Sequence, residues 1–270
     1  MIFKYKHIIN NSNTLLIIFQ SGGRLPIEAL DGVLNNTISQ EKIAEYHSKY
    51  NWFKLTKNKK VDFLFLEDHF SKAYGWYIVD SGRLIYEEFN KDLEDLLSRF
   101  NYKNTIAFGS SKGGYGALLY GLINSKINTV FTMVPQIEAV TYIDNHYSRW
   151  KKLFFPNKDI GIESKANNIF FDNELYNGRE DIIYKTNVFL YTGVNDEQYL
   201  QQVRFDEFFN GKIKNKNLIV NVSNENHGAI VVDNQDFIYA MLKALYNKKR
   251  VNSERLKFIK KGLFVLDKKQ

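Results

Sequence analysis

Gly109, Ser111 and Gly113 stand in the order G-x-S-x-G within the stretch TIAFGSSKGGYGALLYGL, residues 105–122. A serine so placed can carry an acyl group if the chain turns sharply from a strand into a helix there, because the turn lifts its hydroxyl clear of the sheet. The residues two before and two after must then be small, and glycine fills both positions. The following helix would aim its free N-terminal N–H groups at any oxyanion formed on a Ser111 ester. Five residues of this kind also occur in flexible serine–glycine turns; the apolar run before them and the helical run after them favour the chemical reading. Two other glycine patterns are excluded. The segment lacks the G-K-[ST] ending of a phosphate-binding loop, and Leu119 occupies the last position of a G-x-G-x-x-G.

If Ser111 is a nucleophile of this kind, an acid and then a histidine should follow it, each just beyond a strand. Both places are filled. An apolar run at 187–191 leads into Thr192-Gly193-Val194-Asn195-Asp196-Glu197, and one at 218–222 leads into Ser223-Asn224-Glu225-Asn226-His227-Gly228. His227 would take the Ser111 proton and return it to the leaving group, while Asp196 would hold its tautomer and stabilise the imidazolium. Alone, His227 reads first as a solvated turn residue; its register with the serine and the acid reverses that reading. The other histidines are out of order: His7, His47 and His69 precede the serine and His146 precedes the acid strand. Glu197 is an alternative acid, although it reads as an early helical residue, and Glu225 is a weaker one. For the oxyanion, the expected donors are the N–H of Lys112 and one from Gly22 or Gly23, where Ser21-Gly22-Gly23 follows an apolar run; an ordinary turn is the competing reading.

The elements that must position these residues are legible in outline. Apolar, β-rich runs at 14–20, 61–66, 105–108, 128–134, 187–191 and 218–222 alternate with helical segments at 40–50, 87–100, 113–124, 197–209 and 234–246. This is the form of an α/β protein with a mostly parallel sheet and helices on both faces. The strands are apolar almost throughout, as strands buried on both faces are. About fifty residues separate two of them, which places a lid-like insertion around 137–186. With 270 residues, 44% hydrophobic, one catalytic domain over 1–247 is expected. The chain has no cysteine, which excludes disulfides, thiolate nucleophiles and Cys-based metal sites, and no ligand cluster suggests a metal.

A basic amphipathic tail is expected at 248–270. It holds nine Lys/Arg against Glu254 and Asp267, which accounts for the whole net charge of +7 and leaves the body neutral. That distribution argues against a nucleic-acid-binding surface. The tail reads equally as a segment for an anionic membrane surface or a partner and as a terminal helix and strand with a solvated face. The run at 15–19 is too short for a secretory signal or a membrane span, so a soluble, cytoplasmic protein is expected; on the first reading of the tail it would be peripheral to the inner face of the membrane or held by a capsule-assembly partner.

With these residues placed, the chain resembles a bacterial branch of the α/β-hydrolase superfamily: the capsular-polysaccharide O-acetyltransferases and the acetyltransferase of accessory Sec glycoprotein export. The likeness rests on F-G-S-S-K-G-G at 108–114, on Asp196 and His227, on Asp68 followed by Tyr74-Gly75-Trp76-Tyr77, and on Val134-Pro135-Gln136. It runs from about residue 14 to 246. The resemblance implies the α/β-hydrolase fold, acetyl-CoA as a cosubstrate with no permanently bound cofactor, an acetyl-Ser111 intermediate and a polysaccharide hydroxyl as acceptor. A carboxylesterase or deacetylase with the same residues, or a catalytically silent scaffold in glycan export, are the alternatives. Trp76, Tyr77 and Gln136 are candidate substrate contacts, though an aromatic pair after a turn also suits a core. The Lys112 side chain would face an anionic ligand or simply solvent. Trp150, Phe154 and Phe155, with Arg149, Lys151 and Lys152, suit a lid over an anionic ligand or the packing of the insertion.

Overall fold

The computed structural model describes residues 1–22 and 25–247, and the backbone of Leu263–Val265. Among the described residues ten strands appear: β1 Tyr5–Ile8, β2 Thr14–Phe19, β3 Asp62–Leu66, β4 Val79–Asp80, β5 Arg83–Leu84, β6 Asn104–Ser110, β7 Thr129–Met133, β8 Asn187–Gly193, β9 Asn215–Asn221 and β10 Leu263–Val265. Eight of them form one sheet in the order β1-β3-β2-β6-β7-β8-β9-β10, and β4 and β5 pair as a separate hairpin. The six central strands are parallel; β1 and β10 run antiparallel at the two edges. Each of the six expected strands lies within a residue or a few of its observed position.

The helices are α1 Ile27–Leu34, α2 Gln40–His47, α3 Tyr86–Leu97, α4 Lys112–Ile123, α5 Ala139–His146, α6 Lys151–Phe154, α7 Ile160–Asn168, α8 Glu180–Lys185, α9 Tyr199–Phe208, α10 His227–Val232 and α11 Gln235–Tyr246. Side chains alternate along a strand, so the apolar runs feed two cores. Leu15, Ile17, Phe19, Ala107 and Val130 face one, with α3 and α4. Leu16, Ile18, Ile106, Phe108 and Phe131 face the other, where α11 covers them with Phe237, Ile238, Met241 and Leu242. Every residue of α4 is buried, as befits a helix at the centre of the molecule.

Residues 137–186 form α5 to α8 with short 3₁₀ turns between them. Trp150, Phe154 and Phe155 are buried in the first core, so they pack the segment itself. Two of the cations beside them are paired: Arg149 with Asp31, and Lys151 with Asp144 and Glu163. Of the two readings offered for this set, packing of the insertion holds for the three aromatics, while Lys152 is exposed. Apart from the backbone of β10, the tail from Lys248 lies outside the described residues. Among the described residues no helix is long and apolar enough to cross a membrane.

Candidate active site

Ser111 joins β6 to α4 in a left-handed backbone conformation, φ 55° and ψ −124°. An L-residue is held there only when its surroundings over-determine it, and two close backbone approaches do so. A Cβ on Gly109 would stand 2.2 Å from the carbonyl oxygen of Gly113, and one on Gly113 would stand 2.2 Å from that of Phe19 in β2. The Ser111 N–H donates to the Met133 carbonyl at 2.9 Å, fixing the turn to β7.

The acid and the histidine follow β8 and β9. After β9, Asn226 caps α10 by accepting from the N–H of Ala229 at 3.1 Å, so His227 begins a helix instead of standing in an open loop. Its Nε2 lies 2.9 Å from Ser111 Oγ, and its Nδ1 lies 3.0 Å from Asp196 Oδ2. Asp196 follows β8, and its side chain is fully buried. Its other oxygen, Oδ1, accepts from the Gln198 N–H at 2.7 Å, which aims the carboxylate at the ring. An Nδ1–H donated to Asp196 leaves Nε2 as the acceptor for the Ser111 hydroxyl. Such an array can take a proton from the serine as it attacks a carbonyl carbon and return it to a leaving group.

The two alternative acids are engaged elsewhere. Glu197 pairs with His146 Nε2 at 2.5 Å, tying α5 to the loop after β8. Glu225 accepts from the side-chain amides of Asn221 and Asn234 at 2.9 and 2.7 Å, bracing the turn between β9 and α10.

A cavity of about 370 Å³ opens over Ser111 and His227. Ser21 and Gly22 lie on one side, beside the start of α4, where Lys112 carries one of the N–H groups that have no intrahelical partner. Gly23, the other expected oxyanion donor, lies outside the described residues. Tyr74, Trp76, Gln136, Tyr142 and Tyr147 also line it. The Trp76 Nε1–H donates to Gln136 Oε1 at 2.6 Å, and its ring packs against Tyr74, Tyr147 and Phe154 at 5.2, 5.9 and 5.3 Å between centroids. Trp76 and Gln136 thus line the cavity hydrogen-bonded to each other. Tyr77 does not line it. Its ring is fully buried, and its hydroxyl accepts from the Gln20 N–H at 2.5 Å and reaches the Leu66 carbonyl at 3.1 Å; the expectation of a sugar contact is corrected to a core role.

Lys112 is corrected in part. Its side chain is turned away from solvent: Nζ lies 2.6 Å from Asp68 Oδ2, and both side chains are buried. Burial pulls the Lys112 ammonium below the usual lysine range, and Asp68 opposes that pull. Tyr142 and Tyr147 were not foreseen. Both are half-buried, and the Tyr142 ring lies 6.1 Å from that of His227. Burial pushes the Tyr142 phenol upward, so it faces the cavity as a neutral donor and acceptor. Among the described residues no group of three or more His, Asp or Glu could hold a metal.

The parallel sheet, the serine turn after β6, and the acid and histidine after β8 and β9 together define the α/β-hydrolase fold. Solved structures carry the same architecture. One is a Glycosylation Associate Protein (Gap123) complex from Streptococcus agalactiae, with TM-score 0.67 and 15% identity; the match covers 92% of this chain and 45% of that one, so this chain spans less than half of that neighbour's length. Another is the capsule O-acetyltransferase of Neisseria meningitidis serogroup A, with TM-score 0.56 and 19% identity over 89% of this chain and 90% of that one; a mutant of that enzyme was solved in complex with CoA. A third is an α/β hydrolase enzyme from a sediment metagenome of the Mar Chica lagoon, Morocco, with TM-score 0.50 and 16% identity over 92% and 96%. No protein-family model matches the sequence, and no curated protein matches it.

Proposed function

We propose that this chain is a serine-dependent O-acetyltransferase that moves an acetyl group from acetyl-CoA to a hydroxyl of a bacterial polysaccharide. The observation that carries the reading is the continuous Ser111–His227–Asp196 relay, 2.9 and 3.0 Å long in its two links, at the floor of an aromatic-walled cavity. Ser111 Oγ attacks the thioester carbonyl while His227 Nε2 takes its proton. The tetrahedral oxyanion forms against the N–H groups of Lys112 and Gly22. Collapse expels the thiolate of CoA, which receives the proton from His227, and leaves acetyl-Ser111. The acceptor hydroxyl then gives its proton to His227 and attacks the ester, restoring the serine.

The donor and acceptor are supported by the likeness to a capsule O-acetyltransferase, one form of which was solved with CoA. Tyr142 and Tyr147, half-buried on α5 and just after it, offer ring faces and hydroxyls of the kind that hold sugars. Hydrolysis is the second reading, favoured by the partial exposure of the His227 side chain, 20%, through which water can reach an acyl-serine. Incubation with acetyl-CoA, with and without a capsular glycan, separates the two. CoA release that depends on the glycan, with acetate esters appearing on it, is expected. Acetate released at the same rate without a glycan would identify a hydrolase.

A further inference from the structure

We propose that Lys112 and Asp68 are positioning residues that set the spacing of the oxyanion hole, through a buried chain of contacts linking the serine turn to the loop after β2. The inference rests on the acyl-serine reading of the site.

The two expected oxyanion donors belong to different elements. The Lys112 N–H sits at the start of α4, and the Gly22 N–H follows β2. A tetrahedral oxyanion is stabilised only if both donors stand about 2.7–3.1 Å from one point, so their relative placement has to be fixed from behind. Besides the direct approach of Gly113 to the Phe19 carbonyl, one path of side-chain contacts joins the two elements. Lys112 Nζ donates to Asp68 Oδ2 at 2.6 Å, and Asp68 Oδ1 accepts from the Gly75 N–H at 2.8 Å. At Gly75 no side chain fits, since a Cβ would stand 1.8 Å from the Val79 carbonyl oxygen. Trp76 and Tyr77 follow with left-handed φ values of 52° and 60°, and the Tyr77 hydroxyl accepts from the Gln20 N–H at 2.5 Å. Gln20 is the last residue before Ser21 and Gly22.

The ion pair is enclosed. The Lys112 and Asp68 side chains are 4% and 1% exposed, and Nζ lies 5.1 and 4.8 Å from the ring centroids of Tyr74 and Tyr77. His47 borders the same pocket, and burial lowers its pKa, so at neutral pH it does not compete for Asp68. A buried pair of this kind adds little stability over an apolar pair of equal size. What it adds is a single geometry, with directional bonds at both ends.

The test uses p-nitrophenyl acetate as acyl donor and a fluorophosphonate to titrate reactive Ser111, so that rates are expressed per intact site. Two variants are compared with the wild type: Lys112→Met combined with Asp68→Asn, which removes both charges and keeps an acceptor for Gly75, and Tyr77→Phe, which removes only the hydroxyl. In each, acylation per titrated site is expected to fall about 10- to 100-fold with KM unchanged. A merely structural role would lower the number of titratable sites and leave the rate per site intact. Either folded variant acylating at the wild-type rate overturns the proposal; if the doubly substituted chain does not fold, Tyr77→Phe decides alone. A wild-type chain that is never labelled at Ser111 contradicts the underlying reading, which is a separate result from a labelled wild type with unaffected variants.

Discussion

Asp196 and Glu197 are adjacent acids with different fates, and the difference is measurable. Asp196 is buried with one oxygen on His227, whereas Glu197 is part-exposed on His146. Asp196→Asn leaves an amide where the imidazolium needs a carboxylate, and kcat is expected to fall by about 10³- to 10⁴-fold. Glu197→Gln is expected to leave kcat within about threefold and to cost at most about 1 kcal/mol, as exposed ion pairs do; steady-state kinetics and thermal melts of the two variants check both. The serine, acid and histidine were legible because each follows a strand in a fixed order. Tyr142 and Tyr147 were not, since no short motif ties a residue in the insertion to the site. The Lys112–Asp68 contact was invisible for another reason: it spans 44 residues, and a lysine is almost never fully buried.

At the scale of elements, the serine turn depends on how closely β2, β6 and α4 approach. Gly113→Ala would press a methyl against the Phe19 carbonyl, 2.2 Å away, where neither partner is a flexible side-chain end. The expected outcome is a loss of about 3 kcal/mol or more in denaturant unfolding. A Gly113→Ala protein of native stability would mean that the approach of α4 to β2 is looser than described. The buried strands were readable from their unbroken apolar runs. β1 was not, because Tyr5-Lys6-His7-Ile8 mixes polar and apolar residues, as an exposed edge strand does. The β4–β5 hairpin is only two residues on each side, closed by Ser81 and Gly82 at positive φ, too short for any periodicity to show. His227 was read as a loop residue because α10 is six residues long, although its Asn226 cap was present in the sequence.

At the scale of the whole molecule, the described residues fold around one sheet with a core on each face, and the edge strand β10 pairs with β9. The fold class followed from the alternation of apolar and helical segments; the dense packing of 137–186 did not, because its helices are short and weakly periodic. Global stability should depend on pH through partly buried histidines. Burial lowers the pKa of His7, His47 and His69 from 6.5, so in the folded chain they resist protonation that the unfolded chain accepts. Their favourable state is fully present above about pH 6.5 and is lost as the pH falls below it. Thermal melts should show Tm declining from pH 7 to pH 5, and His47→Leu should flatten that slope; an unchanged slope would remove His47 from the explanation. The central claim, that Ser111 carries the acyl group, is tested most directly by intact-mass and peptide mass spectrometry after brief exposure to acetyl-CoA. The wild-type chain should gain one acetyl group on Ser111 and Ser111→Ala none. An acetyl group on another residue, or equal labelling of Ser111→Ala, would contradict the account.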